Sequence, residues 1–415
     1  MNNVIRNKMT KDNSACLLIC LLIFVLTFLC SPFSPLYRYC FGQDEICYSV
    51  LAKGLLNGKV PYRDLFDHKG PLTYFIYALG YLVSTKTHVG VCILLALINS
   101  LIYIVAYKTL RLYFDEEKSL FTLLIFITLI GCCKANILST MSKPENILML
   151  PIMLSAYVLL KNCRTASNAD EYILKRSKIY LIGLMCGCVF LIKLNFCIYY
   201  LCFIGLYFIW LLVKKYIKDF FVQVILFIAG IITINVPILA FYYFNSALKS
   251  MFDVYIMFNI TYSGRGKPFG LNYLGGVAKL AGIVFLLLLA GGFAVYLLRK
   301  KYEKQDIVMY MASLVVILFV LSPSMTLAYT IIVLMPIMFF GISWLTNMIV
   351  DCVNDDKTIN QISIMIAIIL CINLSYQFFY LVPNISKEKT EFENHVESFA
   401  EIHPDAEYMF LGSIC

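Results

Sequence analysis

Charge is scarce in this chain: 14% of its 415 residues are Asp, Glu, Lys or Arg, against 61% that are hydrophobic. A soluble domain carries about 25% charged residues, so these side chains cannot cover a water-facing surface. Polar segments contain no Cys-x-x-Cys pair, which argues against zinc knuckles. No internal repeat or low-complexity tract is evident either. Outside the apolar runs there is no patch of interleaved basic and aromatic residues, so the net charge of +9 does not point to nucleic acid. Lys and Arg in the cytoplasmic loops of a membrane protein account for it instead.

What fills the chain is a series of apolar runs long enough to cross a bilayer, which takes roughly 20 residues each. The expected fold class is therefore an all-α polytopic membrane protein. Most of the sixteen cysteines lie inside those runs, as Cys16, Cys20, Cys30, Cys186, Cys188 and Cys202 do, and act there as small hydrophobes. Ala15 to Cys30 is followed by Ser31-Pro32-Phe33 and not by a small-residue cleavage site, so it reads as an uncleaved first span.

The segment Pro71 to Val83 decides the topology. If it crosses, the basic loops Lys161 to Lys178, Lys214 to Lys218 and Arg299 to Lys304 all face outward, against the positive-inside rule. We therefore expect it to lie along or dip into the outer surface as an interfacial helix, with Tyr74, Tyr77 and Tyr81 at the boundary. Eleven spans follow, at about 15–31, 88–107, 119–137, 146–160, 179–193, 196–213, 220–243, 272–298, 307–321, 328–348 and 361–381. The N-terminus is then cytoplasmic. Residues 1–381 form the transmembrane domain with a first outer loop at 32–87, and 382–415 form a short extracytoplasmic tail.

That first loop holds the chain's densest charge. Residues 44–58 place Ile46, Cys47, Val50, Leu51 and Leu55 at helical spacing, with Asp44 before the first turn and Gly58 after the last. Asp44 can serve as the N-cap, with Glu45 complementing the helix dipole. It can also serve as a general base or ligand at the membrane surface, and the two roles are compatible. The run Tyr62-Arg63-Asp64-Leu65-Phe66-Asp67-His68-Lys69-Gly70-Pro71 reads either as a solvated loop or as an anion site built from Arg63, His68 and Lys69 at the start of a helix. Glu145, in Ser142-Lys143-Pro144-Glu145-Asn146, either caps its span or joins the site. Lys193 and Asn195 stand at a short turn between two spans, where Lys193 either snorkels or functions. Under the eleven-span topology all these groups fall on one side.

The stretches GLLNGKVPYRDLFDHKGPLTYF, SKPENILMLP and GLMCGCVFLIKLNF, with Asp44-Glu45, resemble the C-type (GT-C) membrane glycosyltransferases over roughly residues 15–270. The similarity is to bacterial family 39-like enzymes, related to the protein O-mannosyltransferases and the lipid A aminoarabinose transferase. It implies transfer of a sugar from a polyprenyl-phosphate donor to a lipid, glycan or protein acceptor, on the outer face of a bacterial plasma membrane. It further implies that Asp44 is the catalytic carboxylate, Glu145 the second acid, and Lys69 the lysine that meets the donor phosphate, with Arg63 and Lys193 assisting. Glu45, Tyr62, Asp67, His68 and Asn195 complete the expected substrate-binding set. No cofactor is required if cations already hold the phosphate; His68 and Glu145 are the residues that could take a divalent metal. A transporter or lipid flippase is the alternative. That class places charge near the midplane and shows repeated halves, whereas here charge gathers at one face.

Overall fold

The computed structural model describes residues 2–31, 33–37, 43–132, 141–264 and 356–381. Among these it has no strand, only an isolated bridge between Pro61 and Leu65. The helices are α1 (Asn2–Cys30), α2 (Gln43–Leu56), α3 (Pro71–Tyr81), α4 (Val89–Leu110), α5 (Glu116–Cys132), α6 (Pro144–Ile147), α7 (Met149–Thr165), α8 (Arg176–Ile192), α9 (Ile198–Val213), α10 (Ile217–Phe244), α11 (Leu248–Met251), α12 (Asn259–Gly264) and α13 (Asp356–Leu381). A 3₁₀ turn, Leu194–Cys197, joins α8 to α9, and a π-helical stretch, Phe252–Phe258, joins α11 to α12.

Among the described residues, five stretches are long and apolar enough to cross a bilayer: Asp12–Cys30, Val89–Leu110, Pro144–Thr165, Leu194–Val213 and Ile217–Phe244. The protein is an all-α polytopic membrane protein. The third stretch unites α6 and α7, because Leu148 between them keeps helical angles (φ −68°, ψ −13°). Helices α5 and α8, with 17 residues each, are about 26 Å long at 1.5 Å per residue. The expected spans at 272–298, 307–321 and 328–348, and the tail 382–415, lie outside the described residues.

One expectation is corrected. α3, at 11 residues and about 16 Å, is too short to cross, as expected, but its three tyrosines do not face a lipid boundary. Tyr74, Tyr77 and Tyr81 are wholly buried, and α3 is packed by α2, α4 and α8. Exposed side chains appear only near its far end, at Leu79 and at Leu82 and Val83 just beyond it. The tyrosines go inward because their hydroxyls have partners there. Tyr77 donates to the Ser142 carbonyl, Tyr74 to the Lys69 carbonyl at 3.1 Å, and Tyr81 to Ser49 Oγ at 2.8 Å. An aromatic ring with a satisfied hydroxyl belongs in a core as readily as at an interface.

Elsewhere the bundle depends on close backbone approach. α8 lies against α10 so tightly that a Cβ on Gly183 would sit 2.2 Å from the Phe227 carbonyl oxygen, and one on Gly230 2.4 Å from that of Tyr180. Small residues at such crossings let helices in lipid gain van der Waals contact that bulkier ones forbid. The α8–α10 pair matters because Lys193 follows directly on the end of α8. Replacing Gly183 with Leu should therefore destabilise the protein by about 1–3 kcal/mol. Gly205→Leu is the control, since a Cβ there meets nothing within 4 Å. Thermal unfolding of the detergent-solubilised protein should separate the two; equal midpoints would refute the packing argument.

Candidate active site

α2 ends in a Schellman motif. Gly58 takes φ +79°, Lys59 N–H bonds the Gly54 carbonyl at 2.9 Å, and Gly58 N–H bonds that of Leu55 at 3.2 Å. The other end of α2 carries the acids. The helix starts at Gln43, so Asp44 stands within the first turn and not ahead of it. Neighbouring positions on a helix point about 100° apart, and Asp44 and Glu45 go different ways. Asp44 Oδ2 receives Lys143 Nζ at 2.8 Å and stays partly exposed. Glu45 is 2% exposed and accepts from Ser142 Oγ at 2.8 Å.

Both partners come from the segment that opens α6. Lys143 precedes Pro144 and is extended (φ −81°, ψ 152°), as a residue before proline prefers. Two residues on, Glu145 sits in the first turn of α6 with 1% exposure. Its Oε1 receives Lys193 Nζ at 2.5 Å. Lys193 stands just beyond α8 in an extended conformation (φ −159°, ψ 101°), which turns the chain out of the helix. Glu145 Oε2 is buried and has no hydrogen-bond partner among the described residues.

The third component is the loop from Asp67 to Gly70. Gly70 N–H bonds the Ile192 carbonyl at 3.0 Å, so the loop is tied to the end of α8. The Lys69 carbonyl accepts from Tyr62 at 2.5 Å and from Tyr74 at 3.1 Å. Tyr62 holds φ +70°, a left-handed conformation that costs a bulky residue about 1–3 kcal/mol. Tyr62 is buried, its ring against Tyr74 and Tyr242. Among the described residues the Lys69 ammonium bonds His68 Nε2, at 3.2 Å, and no carboxylate.

Burial and charge set the protonation of these groups. Burial raises the Glu45 carboxyl, partly offset by Lys143 and the Ser142 hydrogen bond. Burial likewise raises Asp67, with Lys69 opposing. His68 is pushed down to about 4, first by burial and then by Lys69 and Lys193. Lys143 ends above its ordinary value: burial works against its charge, but Glu45 and Asp44 outweigh it. The fields of Lys69, Lys193, Asp44 and Glu145 all reach the His68 ring, so the two ion pairs and the loop form one cluster.

Of the residues singled out from the sequence, Asp44, Glu45, Glu145, Lys193, Asp67, His68 and Lys69 are brought together. Arg63 is not. Its guanidinium is spent on Asp64, at 2.8 and 2.9 Å, and on the Asn245 carbonyl at 2.7 Å; the Arg63 hydrogen bond in turn lowers Asp64 to about 2. Asn195 is exposed on its 3₁₀ turn, and Tyr62 supports the backbone of Lys69. Lys143 and Ser142 belong to the cluster and were not singled out. Their signal was a polar pair placed directly before Pro-Glu at a span's start. Among the described residues, no group of three or more His, Cys, Asp or Glu is placed to hold a metal.

Residues 68–241 match the family described as dolichyl-phosphate-mannose-protein mannosyltransferase. The match covers less than half of the chain and supports a membrane glycosyltransferase family. It begins at His68, so it takes in Lys69, Glu145 and Lys193 and leaves out Asp44. No curated protein and no solved structure matches the chain.

The Glu145–Lys193 pair gives a test of the cluster's architecture. Lys193→Met leaves a buried carboxylate without its partner and should cost about 3–5 kcal/mol. Adding Glu145→Gln should recover most of that loss, measured as unfolding midpoint in detergent. A double variant no more stable than Lys193→Met would show that the two side chains are not coupled.

Proposed function

We propose that this protein is an integral-membrane glycosyltransferase moving a sugar from a polyprenyl-phosphate donor to an acceptor hydroxyl on a lipid, glycan or protein. Within that class we read it as akin to bacterial family 39. The observation that carries the reading is the Lys69 ammonium, bonded to an imidazole and to no carboxylate among the described residues, in a cluster that also holds Asp44 and Glu145. The family match over 68–241 supports it independently.

In this reading the donor phosphate meets Lys69, and Lys193 adds positive charge from its place on Glu145. Charge grows on the phosphate as the bond to the sugar's anomeric carbon breaks, and positioned ammonium groups stabilise it more in the transition state than before it. Asp44 takes the proton of the acceptor hydroxyl. Lys143 engages one of its oxygens, and a carboxylate retains further lone pairs for the proton. Glu145, the second acid of this reading, holds the Lys193 ammonium in the cluster. Attack opposite to the leaving phosphate inverts the anomeric centre, through an oxocarbenium-like transition state. Arg63 is left out of the phosphate site because Asp64 and Asn245 occupy it.

The positive-inside argument supports a cytoplasmic N-terminus and a site on the outer face of a bacterial plasma membrane. Membranes supplied with radiolabelled polyprenyl-phosphate sugar should transfer label to an endogenous acceptor. Asp44→Asn and Lys69→Ala, at wild-type expression, should each lower the rate by about a hundredfold or more. Undiminished transfer by Asp44→Asn would remove Asp44 from the role of base.

A further inference from the structure

His68 lies beside the proposed phosphate site but is turned away from a ligand's role. Its Nδ1 is 3.4 Å from Asp67 Oδ1, and its Nε2 is 3.2 Å from Lys69 Nζ. The same Asp67 oxygen accepts the His68 backbone N–H at 2.7 Å, and the His68 carbonyl accepts from Asn259 Nδ2 at 2.7 Å. The ring packs against Phe258, with centroids 5.8 Å apart. Backbone and ring are therefore both fixed.

The chemistry of the two contacts favours one tautomer. A carboxylate beside Nδ1 favours the proton there, which leaves the Nε2 lone pair facing the ammonium. Burial and the neighbouring lysines keep the ring in its neutral form. An ammonium has three N–H donors; one is spent on Nε2 and two remain.

We propose that His68 is a positioning residue: Asp67 orients its imidazole so that Nε2 holds the Lys69 ammonium in place for a phosphate. This rests on Lys69 being the phosphate-binding group. Lysine otherwise carries its charge on a flexible four-carbon stem. A fixed acceptor on one N–H aims the other two, and a neutral acceptor does so without cancelling the charge, as a carboxylate would.

Binding of farnesyl phosphate to the purified full chain in detergent tests this, with inorganic phosphate as the comparison for the headgroup alone. Wild type should bind farnesyl phosphate more tightly than inorganic phosphate, and Lys69→Ala should lose at least about tenfold. His68→Ala and His68→Asn should each weaken binding about tenfold; Asn keeps a donor near Asp67 but does not reach Lys69. His68→Gln places an amide oxygen near the Nε2 position and should bind within about threefold of wild type. Unfolding midpoints separate misfolding from lost binding, and rescue by Gln is an effect that a merely structural ring would not show. Wild-type affinity in His68→Ala, with Lys69→Ala still weak, would overturn the role of His68 and leave the phosphate site standing. Failure of Gln to rescue, with Asn and Gln equally weak, would also overturn it. Absence of binding in the wild type would overturn the phosphate site, and the inference with it.

Discussion

The buried ion pair between Glu145 and Lys193 is the constraint on which the site's arrangement depends. Taking two charges out of water costs several kcal/mol per ion, and only close geometry compensates. Here the geometry is close, at 2.5 Å, and Glu145 is almost wholly enclosed. The pair therefore fixes the start of α6 against the end of α8. Lys143 is two residues from Glu145, so the position of Asp44's partner is set by the same contact. Gly70 is bonded to Ile192, one residue before Lys193, so the Lys69 loop is referenced to it as well. A polar contact with a high penalty for misplacement thus determines where three lysines stand.

The acids around this pair are divided by burial more than by sequence. Asp44 and Glu45 are adjacent, yet one is half open on Lys143 and the other is sealed beneath Ser142 with its carboxyl raised. Enclosed as it is, Glu45 is out of reach of an acceptor hydroxyl and serves instead as a hydrogen-bonding strut between α2 and the α6 segment. Asp67 is raised by burial too, and its contacts are the backbone and ring of His68. This leaves Asp44, among the acids of the first loop brought into the cluster, as the one with access to solvent and a cation beside it. On the proposed reading, burial selects the base.

Much of this was legible because charge is rare here. In an apolar chain each ionisable residue near a span's end stands out, and Asp44, Lys69, Glu145 and Lys193 were found that way. The C-terminal stop of α2 was legible from Gly58, since the left-handed position favours glycine. What failed to show was pairing across the fold. Arg63 looks available in sequence, but Asp64 is adjacent and captures it. Lys143 looks like ordinary flanking charge until α2 is laid against it. The tyrosines of α3 have the spacing of an interfacial helix, and spacing alone does not tell a lipid boundary from a protein one. The hydrogen-bond partners draw them inward, and those of Tyr77 and Tyr81, Ser142 and Ser49, lie on segments far apart in sequence.

The separation of Lys69 and Lys193 is fixed by backbone rather than by side chains. A Cβ on Gly70 would lie 2.1 Å from the Leu191 carbonyl oxygen and 2.5 Å from that of Ile192. Glycine at this position is what lets the loop reach α8 and form its hydrogen bond there. From that point Lys69 is one residue away on the loop, and Lys193 is one residue away on α8. Two flexible side chains thereby spring from neighbouring, immobile anchors, and Tyr62 accepts a strained backbone angle to hold the Lys69 carbonyl from the other side. A cation site on a mobile loop would lose much of its binding to ordering that loop when the anion arrives. The Gly70 tether to α8 reduces that cost, and the helix packing that sets the position of α8, through Gly183 and Gly230, becomes part of the site's chemistry.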